Sequence, residues 1–370
     1  VILLTTGKGG VGKTTVAAAT ATALADQGHR TVVVSIDPAH SLGDVLDLDL
    51  SSGVPVPVSD HLAAAEIRLA AELQDRWGVI RDWLVRLMRS QGVDRWVAED
   101  VAFLPGLEEL VGLLRLVELD DAWDIVVVDC PPTGSTLRYL GLPEAAGWYM
   151  ERFFPLERRL VQTVGPLAER LVGIPMPDAP VFDQIQSLFD VLGDLQRRLN
   201  DPERTRAQVV TTPEQVVLRE TERAVGYLQL QEIPVARIVA NRAGPRQAAA
   251  IGERFAPVEL VAAPLCAEEP IGPEAVRAFA ARLFVDSTPL PAPVSRMPVR
   301  VTETDGVARL HLALPRPKRA RELKVGRRGD DLLLDWGPMR RHLPLPPSLA
   351  VRRLTRAGWD DNGLTVEFVA

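Results

Sequence analysis

The chain opens on an unbroken apolar run, Val1-Ile2-Leu3-Leu4, and two later runs, Thr31-Val32-Val33-Val34-Ser35-Ile36 and Ile125-Val126-Val127-Val128, have the same character. Short aliphatic runs without polar alternation predict strands buried on both faces, as in a parallel sheet. The segment Thr15 to Ala25 is alanine-rich with Leu24 near its end and predicts a helix, and Val239-Ala240-Asn241 reads as the end of a further strand. Elsewhere the apolar period is helical. Val79, Ile80, Trp83, Leu84, Leu87 and Met88 share one face, with Arg81, Asp82, Arg86 and Arg89 off it. Leu107 to Val117 is apolar nearly all round, and Phe182, Ile185, Leu188, Phe189, Leu192, Leu195 and Leu199 form another stripe. Past a proline-rich stretch the period falls to two. Val299-Arg300-Val301 and Ala308-Arg309-Leu310-His311-Leu312 flank a turn at Asp305-Gly306, and Leu323-Lys324-Val325, Leu332-Leu333-Leu334-Asp335 and Leu364-Thr365-Val366-Glu367-Phe368 continue as strands.

Length and composition narrow this picture. A chain of 370 residues predicts at least two folding units, and 46% hydrophobic with 25% charged residues fits a globular protein. No apolar run reaches the roughly 18 residues that span a bilayer, and no basic leader precedes the first strand, so a cytoplasmic location is expected. Two cysteines, Cys130 and Cys266, with no CxxC spacing exclude a disulfide framework and a four-cysteine zinc site within one chain. Charge is split: residues 1–295 sum to −13 and residues 296–370 to +6. Of 42 basic residues 38 are arginine, and the only lysines before Lys318 are Lys8 and Lys13, both in one loop. In a chain that otherwise uses arginine, these mark a place where a compact ammonium fits and a planar fork does not.

That loop is Gly7-Lys8-Gly9-Gly10-Val11-Gly12-Lys13-Thr14-Thr15, lying between a predicted strand and a predicted helix. It satisfies the phosphate-binding pattern GxxxxGK[ST], in which loop amides and a helix amino terminus face phosphate. ATP and Mg²⁺ are the cofactors it predicts, with Lys13 on the β- and γ-phosphates and the Thr14 hydroxyl on the metal. Asp37 falls at the carboxyl end of the second strand, where a carboxylate can orient an attacking water, a helix cap being the plainer alternative. Asp129 ends the third run at the position of a Walker B carboxylate, a Mg²⁺ ligand directly or through water. Pro131, Thr133 and Gly134 follow in a loop that is rigid at one end and hinged at the other.

A single phosphate-binding lysine suffices for a P-loop, so Lys8 needs another task. The stretch GKGGVGKT resembles the deviant Walker A motif of the family that includes ArsA, MinD, ParA and the nitrogenase iron protein, which implies that Lys8 crosses a homodimer to the partner's nucleotide. Asp37-Pro38-Ala39-His40-Ser41-Leu42-Gly43-Asp44 is similar to switch I of the ArsA family. Asp129-Cys130-Pro131-Pro132-Thr133-Gly134-Ser135-Thr136-Leu137-Arg138 is similar to its DTAPTGHTLR switch II, and Pro105-Gly106-Leu107-Glu108-Glu109 to its PGxxE segment. Glu220-Thr221-Glu222-Arg223 looks like its ETER helix. The resemblance covers about residues 1–285. It implies nucleotide contacts from Glu214 and Asn241, the latter at adenine, and from Pro264, whose loop lies against the base. Read alone, Glu214 fits a solvated helix start and Asn241 a turn former equally well. The fold implied is an α/β P-loop NTPase, a mostly parallel sheet with helices on both faces and helical inserts at about 62–120 and 144–200. Residues 286–298 read as a semi-rigid proline linker, and residues 299–370 resemble the α-crystallin fold, a small all-β sandwich. The basic surplus of that tail suits a solvated face or a contact with the acidic body.

The expected activity is therefore Mg²⁺-dependent ATP hydrolysis by a homodimer that captures and releases a protein client, an apolar helix held by the amphipathic inserts. A membrane partner is compatible with this, and no nucleic acid is expected, since no recognition helix accompanies the basic residues. An arsenite-pump subunit and a MinD- or ParA-like positioning switch are the alternatives. Two departures bear on them. The stretch after Asn241, RAGPRQAAAIGERF, lacks the CxxC through which eukaryotic targeting members share zinc, and no cysteine cluster is present for metalloid.

Overall fold

The computed structural model describes residues 1–37, 39, 41–67, 69–94, 107–133, 179–294, 299–314, 323–336, 339–360 and 363–369. Of the sequence expectations, Pro38, His40, Gly134, the remainder of switch II to Arg138, and residues 144–178 of the second insert lie outside them.

Eight strands form one sheet in the order β3-β4-β2-β5-β1-β6-β7-β8. They are β1 (Ile2–Gly7), β2 (Thr31–Ser35), β3 (Val56–Pro57), β4 (Leu62–Glu66), β5 (Ile125–Asp129), β6 (Thr205–Thr211), β7 (Val235–Ala240) and β8 (Glu259–Ala262). Every pairing is parallel except β3 with β4. The apolar runs read from sequence are the central strands, and alternate residues enter different cores: Ile2, Leu4, Val32, Val34, Val126 and Val128 one face, Leu3, Val33 and Val127 the other. Helices α1 (Lys13–Asp26), α2 (Ser41–Leu46) and, near the carboxyl end of the sheet domain, Pro273–Leu283 cover the second face. Alanines 17, 18, 19 and 21 of α1 are fully buried, so that this helix packs close to the strands.

The first face is covered by α4 (Leu107–Ala122), α5 (Ala179–Asn200), α6 (Gln215–Leu230) and α7 (Pro245–Phe255), with α3 (Leu69–Ser90) outside α4 and α5. The helix Pro273–Leu283 is α8. Leu192, Leu195 and Leu199 of the α5 stripe are buried, whereas Ile185, Leu188 and Phe189 towards its start are half-buried, as are Trp83, Leu84, Leu87 and Met88 of α3. One expectation is corrected. Leu62–Glu66, at the start of the helical insert expected over about 62–120, is strand β4, paired in register with Thr31–Ser35. Alanine favours helix locally, yet Ala63 and Ala65 enter one core and Ala64 the other, an arrangement that needs strand geometry.

The tail is two antiparallel sheets. β9 (Val299–Thr304), β10 (Val307–Leu312), β14 (Arg353–Asp360) and β15 (Gly363–Val369) form one in the order β14-β15-β10-β9, and β11 (Leu323–Arg328), β12 (Asp331–Trp336) and β13 (Met339–Pro344) the other, with the short helix α9 (Pro347–Ala350) between β13 and β14. Ala308, Leu310, Leu312, Leu332, Leu334, Leu364, Val366 and Phe368 are buried between them. Strands β13 and β14 were not legible in the sequence, since Arg340, Arg341 and His342 interrupt one and the other is largely exposed.

The β module is fastened to the sheet domain. Trp336, 1% exposed, meets Tyr227 of α6 edge-to-face at 5.2 Å and Trp359 at 6.2 Å, and Arg341 pairs with Glu232 at 2.9 Å. The proline stretch is held as well. Arg206 on β6 donates to the Pro291 carbonyl at 2.8 Å; fully buried Arg237 on β7 donates to the Thr288 and Pro289 carbonyls at 2.7 and 3.1 Å. Glu259 balances the Arg237 charge at 3.0 Å. Residues 288–291 are thus a clamped strap rather than the semi-rigid linker expected, because a buried guanidinium needs carbonyl acceptors and this stretch supplies them.

Candidate functional site

The carboxyl ends of β1, β2 and β5 converge, and the loop Gly7–Gly12 turns from β1 into α1 across them. Two of its glycines are required sterically. A Cβ on Gly7 would collide with the Val210 carbonyl, and Gly12, at φ 92°, precedes the first residue of α1 with its Cα against the Asn241 amide. Lys13 opens α1 and is 6% exposed. A Cβ at Gly9 would come to 4.0 Å from Pro132 Cγ, so the start of the switch II loop lies beside the phosphate loop.

Asp129 is the hub. It is fully buried; its Oδ2 accepts from the Thr14 hydroxyl at 3.0 Å and from the Ser35 hydroxyl at 3.1 Å, and Ser41 Oγ lies 3.0 Å from Thr14 Oγ1. Burial pushes the Asp129 carboxyl up to about 6, against the opposing pull of Thr14, Lys13 and Ser35. Among the described residues, its second oxygen, Oδ1, has no hydrogen-bond partner, and neither has the buried hydroxyl of Thr133, four residues on. A buried carboxylate with one oxygen bare, beside a threonine and a serine hydroxyl, is a hard-oxygen donor set that fits Mg²⁺. Asp37, half-buried, uses Oδ1 to accept from the Ala39 amide at 3.1 Å, which turns the chain after β2. Both cysteines read from sequence as buried structural thiols; Cys130 is buried and its thiol pKa is pushed up by burial, but Cys266 is exposed, on the loop after β8.

The other expected residues sit around the loop's outer side. Lys8 Nζ lies 4.0 Å from Glu220 on α6. Glu214 occupies the N-cap position of α6 without a side-chain capping bond, and the Thr212 hydroxyl holds its carboxyl below the usual range, with Arg242 and Lys8 adding to the effect. Asn241 donates to the Val11 carbonyl at 2.8 Å and accepts from the Arg242 amide at 2.9 Å, bracing the phosphate loop against the end of β7. Arg242, at φ 54°, reaches the Gly10 carbonyl at 3.4 Å. Pro264 is half-buried after β8, with exposed Cys266 and Arg282 beside the next peptide. Ser35, Ser41 and Arg242 were missed from sequence. Ser41 stands in the switch I segment and could have been singled out there; Ser35 and Arg242 reach the site only through β2–β5 and β6–β7 adjacency.

A mostly parallel sheet with a glycine loop at the carboxyl ends of its strands and a buried carboxylate bonded to the loop threonine defines a P-loop nucleotide hydrolase. The comparisons make this specific. The family model described as anion-transporting ATPase matches residues 1–285, and one described as an HSP20-like domain found in ArsA matches residues 305–368. A putative arsenical pump-driving ATPase of Chlorobaculum tepidum is 30% identical over 388 residues, 99% of this chain and 95% of its own. A putative arsenical pump-driving ATPase 1 of Aquifex aeolicus is 28% identical over 375 residues, 94% of each chain. The ATPase GET3 of Mycosarcoma maydis is 30% identical over 241 residues, 64% of this chain and 70% of its own. The chain belongs to the ArsA family of ATPases and carries that family's HSP20-like domain; it is a P-loop ATPase. Among the described residues no helix is long and apolar enough to cross a membrane.

Proposed function

We propose that this ATPase hydrolyses ATP with Mg²⁺ as a homodimer joined across its nucleotide face, and uses the cycle to capture and release a protein client. The observation that carries the catalytic part is the buried Asp129 carboxylate, whose Oδ2 accepts from Thr14 while Oδ1 has no partner among the described residues. When bound, Mg²⁺ would supply charge neutralisation between the β- and γ-phosphates. Thr14 and Asp129 are the residues to hold it, the latter directly or through water. Lys13 and the amides of Gly9, Gly10, Val11, Gly12, Thr14 and Thr15 bind and orient the phosphates. Asp37 leaves the carboxyl end of β2 on the same rim and orients the attacking water, releasing Ala39 as Pro38, His40 and the Pro131–Gly134 loop respond to the γ-phosphate. Asn241, Glu214 and Pro264 surround the nucleoside. Lys8 reaches into the partner's site.

The client reading rests on the half-buried Trp83, Leu84, Leu87 and Met88 of α3 and Ile185, Leu188 and Phe189 of α5, with Val79 41% exposed beside buried Ile80, Val181 and Phe182. An apolar helix is the occupant they suit. The test is an Asp37→Asn protein loaded with ATP, used to recover bound proteins. Expected are hydrolysis reduced by about 10²- to 10⁴-fold with nucleotide still bound, and co-purification of proteins bearing an apolar terminal helix. Wild-type turnover in Asp37→Asn would defeat the role given to Asp37. The names of the bacterial relatives favour a second reading, an arsenical-pump subunit, which predicts metalloid-stimulated turnover; buried Cys130, remote in sequence from exposed Cys266, speaks against it.

A further inference from the structure

We infer that Glu220 is a positioning residue for Lys8: in the single chain it parks the ammonium on α6, and dimerisation on nucleotide requires that pair to break. This rests on the reading that Lys8 serves the partner's nucleotide. Lys8 Nζ lies 4.0 Å from Glu220 Oε2, with the two side chains 35% and 28% exposed. The post is rigid and the lysine is not. The next residue, Thr221, donates to the Val217 carbonyl at 3.0 Å, and its Oγ1 lies 2.8 Å from Thr211 Oγ1, tying this turn of α6 to the end of β6. Further along, the same helix is held by the Tyr227–Trp336 contact, and the turn after it by Glu232–Arg341. Lys8, by contrast, is 35% exposed on a long unbranched stem and is followed by Gly9-Gly10, Gly10 at φ 78°, so its ammonium can be re-aimed from the loop's outer side. Glu214, at the start of α6, also feels the Lys8 charge. Glu220 on this fixed helix therefore competes with a partner's phosphates for one ammonium, with the charge of Glu214 at the N-cap adding to the pull.

An exposed pair of this kind is worth about 1.5- to 5-fold in an equilibrium, and two are broken per dimer, so the latch weakens the dimer by about 2- to 25-fold. Both the latch and its release are screened by salt. The chain has four lysines, Lys8, Lys13, Lys318 and Lys324, so [ε-¹³C]lysine labelling yields four ε-methylene signals, with that of Lys8 assigned by its loss in Lys8→Gln. Glu220→Gln should move the Lys8 signal in nucleotide-free protein and tighten the monomer–dimer constant measured by sedimentation with Mg²⁺ and ATPγS by about 2- to 25-fold. An unmoved Lys8 signal, or a dimer constant unchanged or weakened, overturns the latch. The Lys8→Gln protein separates the two levels. If it fails to dimerise while Glu220→Gln behaves as wild type, the latch alone falls; if it dimerises and hydrolyses normally, the cross-dimer role of Lys8 falls and the latch with it.

Discussion

Replacing Asp129 by Asn should stabilise the nucleotide-free protein while removing its turnover. Asp129 is fully buried, and burial raises its carboxyl from 3.8 to about 6. A folded-state value above the unfolded one means that the native chain holds the proton more tightly. The stabilisation from that proton is complete below the unfolded value and is lost as pH rises through about 6. Keeping this carboxyl ionised costs about 3 kcal/mol at neutral pH, and the cost falls below about 1 kcal/mol near pH 4. Asn carries no charge to desolvate, and the Thr14 and Ser35 hydroxyls can still donate to its oxygen. With an unfolding entropy of about 2.1 cal/mol/K per residue, 3 kcal/mol corresponds to about 4 °C in Tm for a chain of this size. The assay is thermal and urea unfolding of both proteins in chelator, at about pH 7.5 and about pH 4.5. The variant should be the more stable at the higher pH, with the gap shrinking at the lower. Mg²⁺ with ATP should then raise the Tm of the wild type more than that of the variant, which keeps Lys13 and the loop amides but loses a metal ligand. A variant no more stable than wild type at neutral pH, or a gap independent of pH, would refute the desolvation argument.

Trp336→Ala removes a fully enclosed indole between Tyr227 and Trp359 and should cost about 3–5 kcal/mol on urea unfolding, with loss of near-ultraviolet dichroism; a cost under about 1 kcal/mol would mean that the β module does not lean on α6. Arg237→Met leaves the Thr288 and Pro289 carbonyls without their donor and should cost about 1–3 kcal/mol, with new proteolytic cleavage at residues 288–291; a cleavage pattern identical to wild type would count against the strap. Lys13→Ala should abolish nucleotide binding, measured by calorimetry, while unfolding at the wild-type temperature without nucleotide.

Local chemistry in the chain was enough for the central strands, the glycine loop, and the carboxylates at the strand ends, because buried parallel strands carry uninterrupted apolar runs and phosphate binding needs glycine where the backbone is strained. It was enough for most of the β module as well, where alternate residues face the interior. It misled at Leu62–Glu66, where alanine's helical preference yields to pairing with β2, and it missed β13 and β14, whose charged or exposed residues blur the alternation.

What no stretch of sequence contained were the meetings of distant residues. Ser35 reaches Asp129 only because β2 and β5 are neighbours, and Asn241 braces Val11 only because β7 ends beside the phosphate loop. Glu220 stands opposite Lys8 across more than two hundred residues of chain, and the proline stretch became a strap once two buried arginines needed acceptors. Strand and loop chemistry acts over a few residues and can be read along the chain; ion pairs, buried hydrogen bonds and the value of a carboxyl's pKa depend on what the fold brings within about 4 Å, and only the tertiary structure decides that.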